Sequence, residues 1–147
     1  MQESEVVRDI QVAPERVWAV LADGWLYGNW VVGASNIRDV ERHWPATGAC
    51  IHHSSGLWPL LVSDTTTVLK SVPAEELVLQ ARGWPLGEAT VDVRLERAVG
   101  GTRVRMTEDV SRGPGALIPS AVLGSLIRPR NRESLRRLAL IAEGRRF

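Results

Sequence analysis

Apolar and polar residues alternate with a period of two along most of this chain and give way to a helical period near its two ends. Ser4 to Val12 reads as a strand with Val6, Ile10 and Val12 on one side. Pro14 follows where a first-turn proline fits, with Glu15 near the positive end of the helix and Val17, Val20 and Leu21 at helical spacing. Pro14 to Ala22 therefore predicts a short helix, interrupted at Asp23-Gly24. Trp25 to Trp30 predicts a second, which stops near Gly33. Strands follow, each bounded by turn residues: Ser35 to His43, Ala49 to Leu57, Leu60 to Ser71, Glu76 to Trp84, Ala89 to Ala98 and Thr102 to Ser111. Gly100-Gly101 is a hairpin signal between the last two, and parity turns Val104 and Met106 inward.

Gly113-Pro114-Gly115 breaks the sheet, and a long amphipathic helix is predicted from near Gly115 almost to Phe147, helical already at Leu117 despite Pro119. Pro129 kinks or restarts it. Asn131, Leu135, Leu138 and Ala142 form one stripe that Ile127 extends backwards, Glu133 and Arg137 pair outside it, and Gly144 supplies a stop. A helix apolar on one side must bury that side, and only the preceding sheet can receive it. A curved sheet closed by one helix often leaves a space between them, and such spaces hold small molecules.

The length suits one domain, 1–147, able to fold without cross-links. A single cysteine, Cys50, excludes an internal disulfide and fits a reducing compartment. No run approaches the ~20 apolar residues of a membrane span, and Met1 to Ile10 has no signal-peptide pattern, so a cytoplasmic protein without stable membrane association is expected. A net charge of +1 gives no nucleic-acid footprint. The arginines between Arg128 and Arg146 are interrupted by Glu133 and Glu143 and read as a solvated helix face.

Three segments carry a resemblance: Val12-Ala13-Pro14-Glu15-Arg16-Val17-Trp18-Ala19-Val20-Leu21-Ala22-Asp23, Gly101-Thr102-Arg103-Val104-Arg105-Met106-Thr107-Glu108, and Arg130-Asn131-Arg132-Glu133-Ser134-Leu135-Arg136-Arg137-Leu138. With the order of elements, they resemble a bacterial member of the START-like (SRPBCC) superfamily, which groups polyketide cyclases and dehydrases with lipid-transfer proteins. The resemblance implies an α+β helix-grip fold, in which a curved antiparallel sheet of about seven strands wraps a long C-terminal helix and two short helices follow strand 1. It implies no universal catalytic set, because the superfamily hosts enzymes, carriers and regulatory modules.

Candidate site residues follow from parity and position. Trp44, Trp58 and Trp84 each precede a proline at a strand end, where the rings either wall a cavity mouth or plug the end of the sheet. Trp25, Tyr27 and Trp30 lie in the short helices that close one end of the cavity in such a fold. His52 and His53 face opposite sides of their strand; His53 shares its side with Ile51, Ser55 and Leu57 and is the inward candidate, able to move a proton or to serve as a hydrogen-bonded structural residue. Glu108 shares parity with Thr102, Val104 and Met106, so it is either a lone cavity carboxylate or one member of a buried ion pair with Arg130 or Asn131 as partner. Asn131 is the polar member of the helical stripe and can offer donor and acceptor to a ligand or to the sheet. Asp64, Glu88 and Asp92 read as surface residues, and three histidines with one cysteine provide no metal-ligand spacing.

The leading expectation is binding of a hydrophobic small molecule (lipid-, polyketide- or terpenoid-like) between sheet and final helix. The expected contacts are Tyr27, Trp30, His53, Trp58, Trp84, Met106, Glu108, Asn131 and Leu135, with no metal and no cofactor. One alternative is a cyclase- or dehydratase-type enzyme in which His53 or Glu108 shuttles a proton; another is an interaction module with a filled core. Homodimerisation stays open. Cavity volume separates binding from a filled core, ligand pockets spanning ~300–1,000 Å³.

Overall fold

The computed structural model describes residues 4–55, 62–83 and 87–144. Seven strands form one antiparallel sheet: β1 (Ser4–Ile10), β2 (Ala34–Val40), β3 (Cys50–Ser55), β4 (Val62–Val72), β5 (Glu76–Gly83), β6 (Gly87–Ala98) and β7 (Gly101–Arg112). Between β1 and β2 lie α1 (Pro14–Leu21), a 3-10 turn at Gly24–Leu26 and the single-turn α2 (Tyr27–Trp30); after β7 come a 3-10 turn at Pro114–Leu117 and α3 (Ser120–Gly144). The spatial order is β1-β7-β6-β5-β4-β3-β2, a meander whose first strand folds back beside its last. This is the α+β helix-grip arrangement.

Alternation decides which side of the sheet meets α3. Leu77 and Leu79 of β5, Val91, Val93 and Leu95 of β6, and Val104 and Met106 of β7 are buried on that side, with Val6 and Ile10 of β1 beside them. From α3 they receive Leu135, Leu138, Ala139 and Ala142, which recur every three to four residues. The opposite side carries charge, with Glu76 bridged to Lys70 at 2.9 Å and to Arg94 at 3.2 Å. Register shifts in β2, β4 and at Glu88/Ala89 insert extra residues that bend the strands around the helix.

Local chemistry joins these elements. Pro14 opens α1 at its first position, where its missing N–H is no loss. The indole Nε1 of Trp44 donates to the Leu21 carbonyl at 3.2 Å, capping the end of α1. Trp44 is thereby buried against Tyr27. The Val32 N–H donates to Ser134 Oγ at 3.0 Å and ties the chain after α2 to α3.

The closing helix differs from expectation at its start. Ile118 is extended, with φ −79° and ψ 134°, because the ring of Pro119 disfavours helical geometry in the residue before it. The helix thus begins at Ser120, not near Gly115. It then runs through Pro129 without a break. Pro129 removes the donor for the Ser125 carbonyl, and Ser125 is exposed, so solvent can take that bond. Among the described residues no helix is long and apolar enough to cross a membrane.

Candidate functional site

A pocket of about 190 Å³ lies between α2, α3 and the helix-facing side of the sheet. Its origin is legible in the registers. One inward row crosses the sheet as Ile51, Thr66, Ala81, Ala89 and Val110. Its neighbour crosses as Val68, Leu79, Val91 and Glu108. Two alanines in the first row, where the second has leucine and valine, leave a shortfall of volume under α2 and α3. Trp30, Val31, Leu79, Val91, Met106 and Val110 complete the apolar wall.

Two polar groups of side chains interrupt that wall. In the first, Thr66 Oγ1 donates to the Tyr27 hydroxyl at 3.1 Å and lies 3.0 Å from His53 Nε2. His53 and Thr66 meet diagonally across β3 and β4, since the residue directly opposite His53 is Asp64. The Tyr27 ring is fixed edge-on against Trp30 at 5.8 Å and tilted over His53 at 5.6 Å. Burial pushes the Tyr27 phenol up to about 12, so it remains protonated near neutral pH. Burial also holds the His53 imidazole below its ordinary value, against the pull of the Asp64 carboxylate.

In the second group, Arg130 Nη2 donates to both oxygens of Glu108, at 2.5 and 2.6 Å, and Asn131 Nδ2 donates to Oε1 at 3.2 Å. The Glu108 side chain is 6% exposed and that of Arg130 32%, so the carboxylate is buried and the guanidinium reaches solvent. This is the ion-pair arrangement of the two left open, and it engages both carboxylate oxygens.

Six of the expected contacts are thus brought together: Tyr27, Trp30, His53, Met106, Glu108 and Asn131 all line the pocket. Leu135 is not among the lining residues; one turn beyond Asn131, it packs at 1% exposure into the core where sheet and helix meet directly. Trp58 and Trp84 lie outside the described residues. Trp25 is 56% exposed, its 3-10 turn having aimed the ring outward. Glu88, expected at the surface, is half-buried at the pocket edge, where Arg82 Nε lies 3.0 Å away and Gln80 donates at 2.9 Å. Thr66 was not anticipated, although its parity with inward Val68 marks it. Among the described residues no group of three or more His, Cys, Asp or Glu could hold a metal ion.

His53 gives stability a pH dependence of definite sign. The unfolded chain binds a proton on this ring near 6.5, whereas the folded protein does so only at lower pH. Between those values the unfolded state holds more protons, so stability is full above 6.5 and declines as pH falls, levelling below the folded value. The slope contributed is at most about 1.4 kcal/mol per pH unit. Chemical denaturation at pH 7.5 and pH 5 should show this decline, and His53→Gln should lose that component; an unchanged difference between the two pH values would assign it elsewhere.

The model of the family described as polyketide cyclase / dehydrase and lipid transport matches residues 1–143. No curated protein matches the chain significantly. Solved structures share the fold at low identity. A protein from Rhodobacter sphaeroides is 22% identical with a TM-score of 0.72, covering 96% of this chain and 92% of that one. Ara h 8.0201 is 12% identical with a TM-score of 0.75, covering 98% and 99%. DynU16, from the dynemicin biosynthetic locus, is 17% identical with a TM-score of 0.69, covering 97% of this chain and 48% of that one.

Proposed function

The chain belongs to the polyketide cyclase / dehydrase and lipid-transport family, and from that premise we propose that it binds a hydrophobic small molecule between its sheet and α3. The observation that carries the reading is an apolar pocket whose polar side chains are bonded to one another in small groups, the composition of a site that holds a greasy body and orients it by few contacts. Volume narrows the ligand. At about 190 Å³ the space is below the common range for drug-sized molecules. It exceeds the ~150 Å³ that accommodates one benzene ring in an apolar cavity. A one- or two-ring compound or a short chain fits this space; a two-chain lipid does not.

The same small volume favours a second reading, an interaction module whose core is filled by its own side chains. The enzyme alternative narrows to His53, because both oxygens of Glu108 are engaged by Arg130 and Asn131.

Native mass spectrometry of the purified protein against a denatured sample tests binding. A discrete extra mass present only in the native spectrum is expected. Ala89→Leu, which places a larger side chain in the same space, should lose it. Identical masses, together with no thermal stabilisation by one- and two-ring aromatic compounds, would refute binding and leave the filled-core module.

A further inference from the structure

We infer that the ligand of this pocket presents a neutral carbonyl oxygen to the Tyr27 hydroxyl, an inference that rests on the binding reading above. The argument is a count of protons. A threonine hydroxyl carries one proton, and that of Thr66 is directed to the Tyr27 oxygen at 3.1 Å. The contact between Thr66 Oγ1 and His53 Nε2 at 3.0 Å must then have the imidazole N–H as donor. This fixes the Nε2–H tautomer. It leaves Nδ1 with a lone pair, and Nδ1 is buried without a hydrogen-bond partner, where an N–H would be an unmet donor.

The bonds therefore run in one direction, from His53 through Thr66 to Tyr27, and each donor polarises the next. The chain ends on the proton of Tyr27. Thr66 does not receive it, and among the described residues no hydrogen bond from it is found, although Tyr27 is only 5% exposed and lines the pocket together with Thr66 and His53. A buried donor without an acceptor is the group a ligand oxygen satisfies. The phenol stays protonated near neutral pH, because burial pushes it up to about 12.

The rest of the lining selects the kind of oxygen. Its charged side chains are paired, Arg130 with Glu108 and Arg82 with Glu88, so no cation is left over to favour an anionic ligand. A ligand hydroxyl would bring its own proton; the Glu108 oxygens are occupied and the Tyr27 oxygen already accepts from Thr66, so that proton would have to go to the His53 Nδ1 lone pair. A carbonyl oxygen accepts and brings no proton.

Acetophenone and isopropenylbenzene test this, being near-isosteric single-ring compounds that differ in C=O against C=CH2. Titrated into the full chain and followed by amide NMR shifts, the ketone should bind roughly three- to tenfold more tightly. Its carbonyl stretch should move to lower wavenumber on binding. Tyr27→Phe should abolish both the preference and the infrared shift. Equal affinities in the wild-type protein, or a preference that survives in Tyr27→Phe, would overturn the carbonyl inference and leave pocket binding standing. Failure of both probes to bind would overturn it together with the binding reading. Should Tyr27→Phe not fold, the wild-type preference and infrared shift decide the matter.

Discussion

Replacing Glu108 with alanine is expected to lower stability by about 2–4 kcal/mol, below the full range for a broken buried pair because Arg130 can turn toward water. The carboxylate is the common acceptor for Arg130 and Asn131, so its loss strands two donors beside an apolar wall. Arg130 is about a third exposed and recovers part of the loss by solvation; Asn131, at 2% exposure, cannot. Glu108→Gln should fall between the two proteins, since one carbonyl oxygen remains to accept while the charge is gone. Urea denaturation of the three proteins measures this order. A midpoint unchanged in Glu108→Ala would show that the pair contributes nothing to holding α3 on β7.

Gly87→Ala should be comparably damaging, at about 3 kcal/mol, for a backbone reason. Gly87 has a φ of +104°, which a residue with a Cβ adopts only under strain. The added carbon would also lie 2.1 Å from the Arg112 carbonyl oxygen and 2.8 Å from Gly113 Cα. Both are main-chain atoms, so no rotamer change relieves the overlap; the ends of β6 and β7 must separate. Glu88 and Val110 line the pocket at that end, so ligand retention should fall along with stability. A loss under about 0.5 kcal/mol, the range of an ordinary surface substitution, would mean that the ends of β6 and β7 separate at little cost.

Much of this site is legible in the sequence because strand parity is strict. Glu108 follows Val104 and Met106 at intervals of two, and His53 follows Ile51, so their inward placement needs no tertiary knowledge. The ion pair with Arg130 follows because a buried carboxylate requires a donor and the final helix supplies the nearest one. Ala81 and Ala89 were equally available as small residues at inward positions, yet their meaning depends on register: only pairing across β5 and β6 puts the two gaps side by side. Helical stripes are less informative. Asn131 and Leu135 share a stripe, but a rise of 1.5 Å per residue carries Leu135 about 6 Å beyond Asn131 along the axis, into a filled layer. The late start of α3 is legible as well, since Ile118 stands before Pro119 and a residue before proline is held out of helical geometry.

The placement of β1 beside β7 sets a timetable for the ribosome. Ile10 pairs with Thr102 and Ser4 with Glu108, so the first strand waits for roughly the next 90–105 residues before its partner exists. At ~5–20 residues per second that wait is on the order of 5–20 s. During it, the apolar side of β1 and the unfilled edge of the growing meander are open to other chains. α3 emerges later still, and with it the second wall of the pocket. Closure of so distant a pair also raises contact order and slows folding relative to a helical protein of equal length. Exposure of unpaired apolar strand is therefore concentrated in the interval before the last hairpin is made.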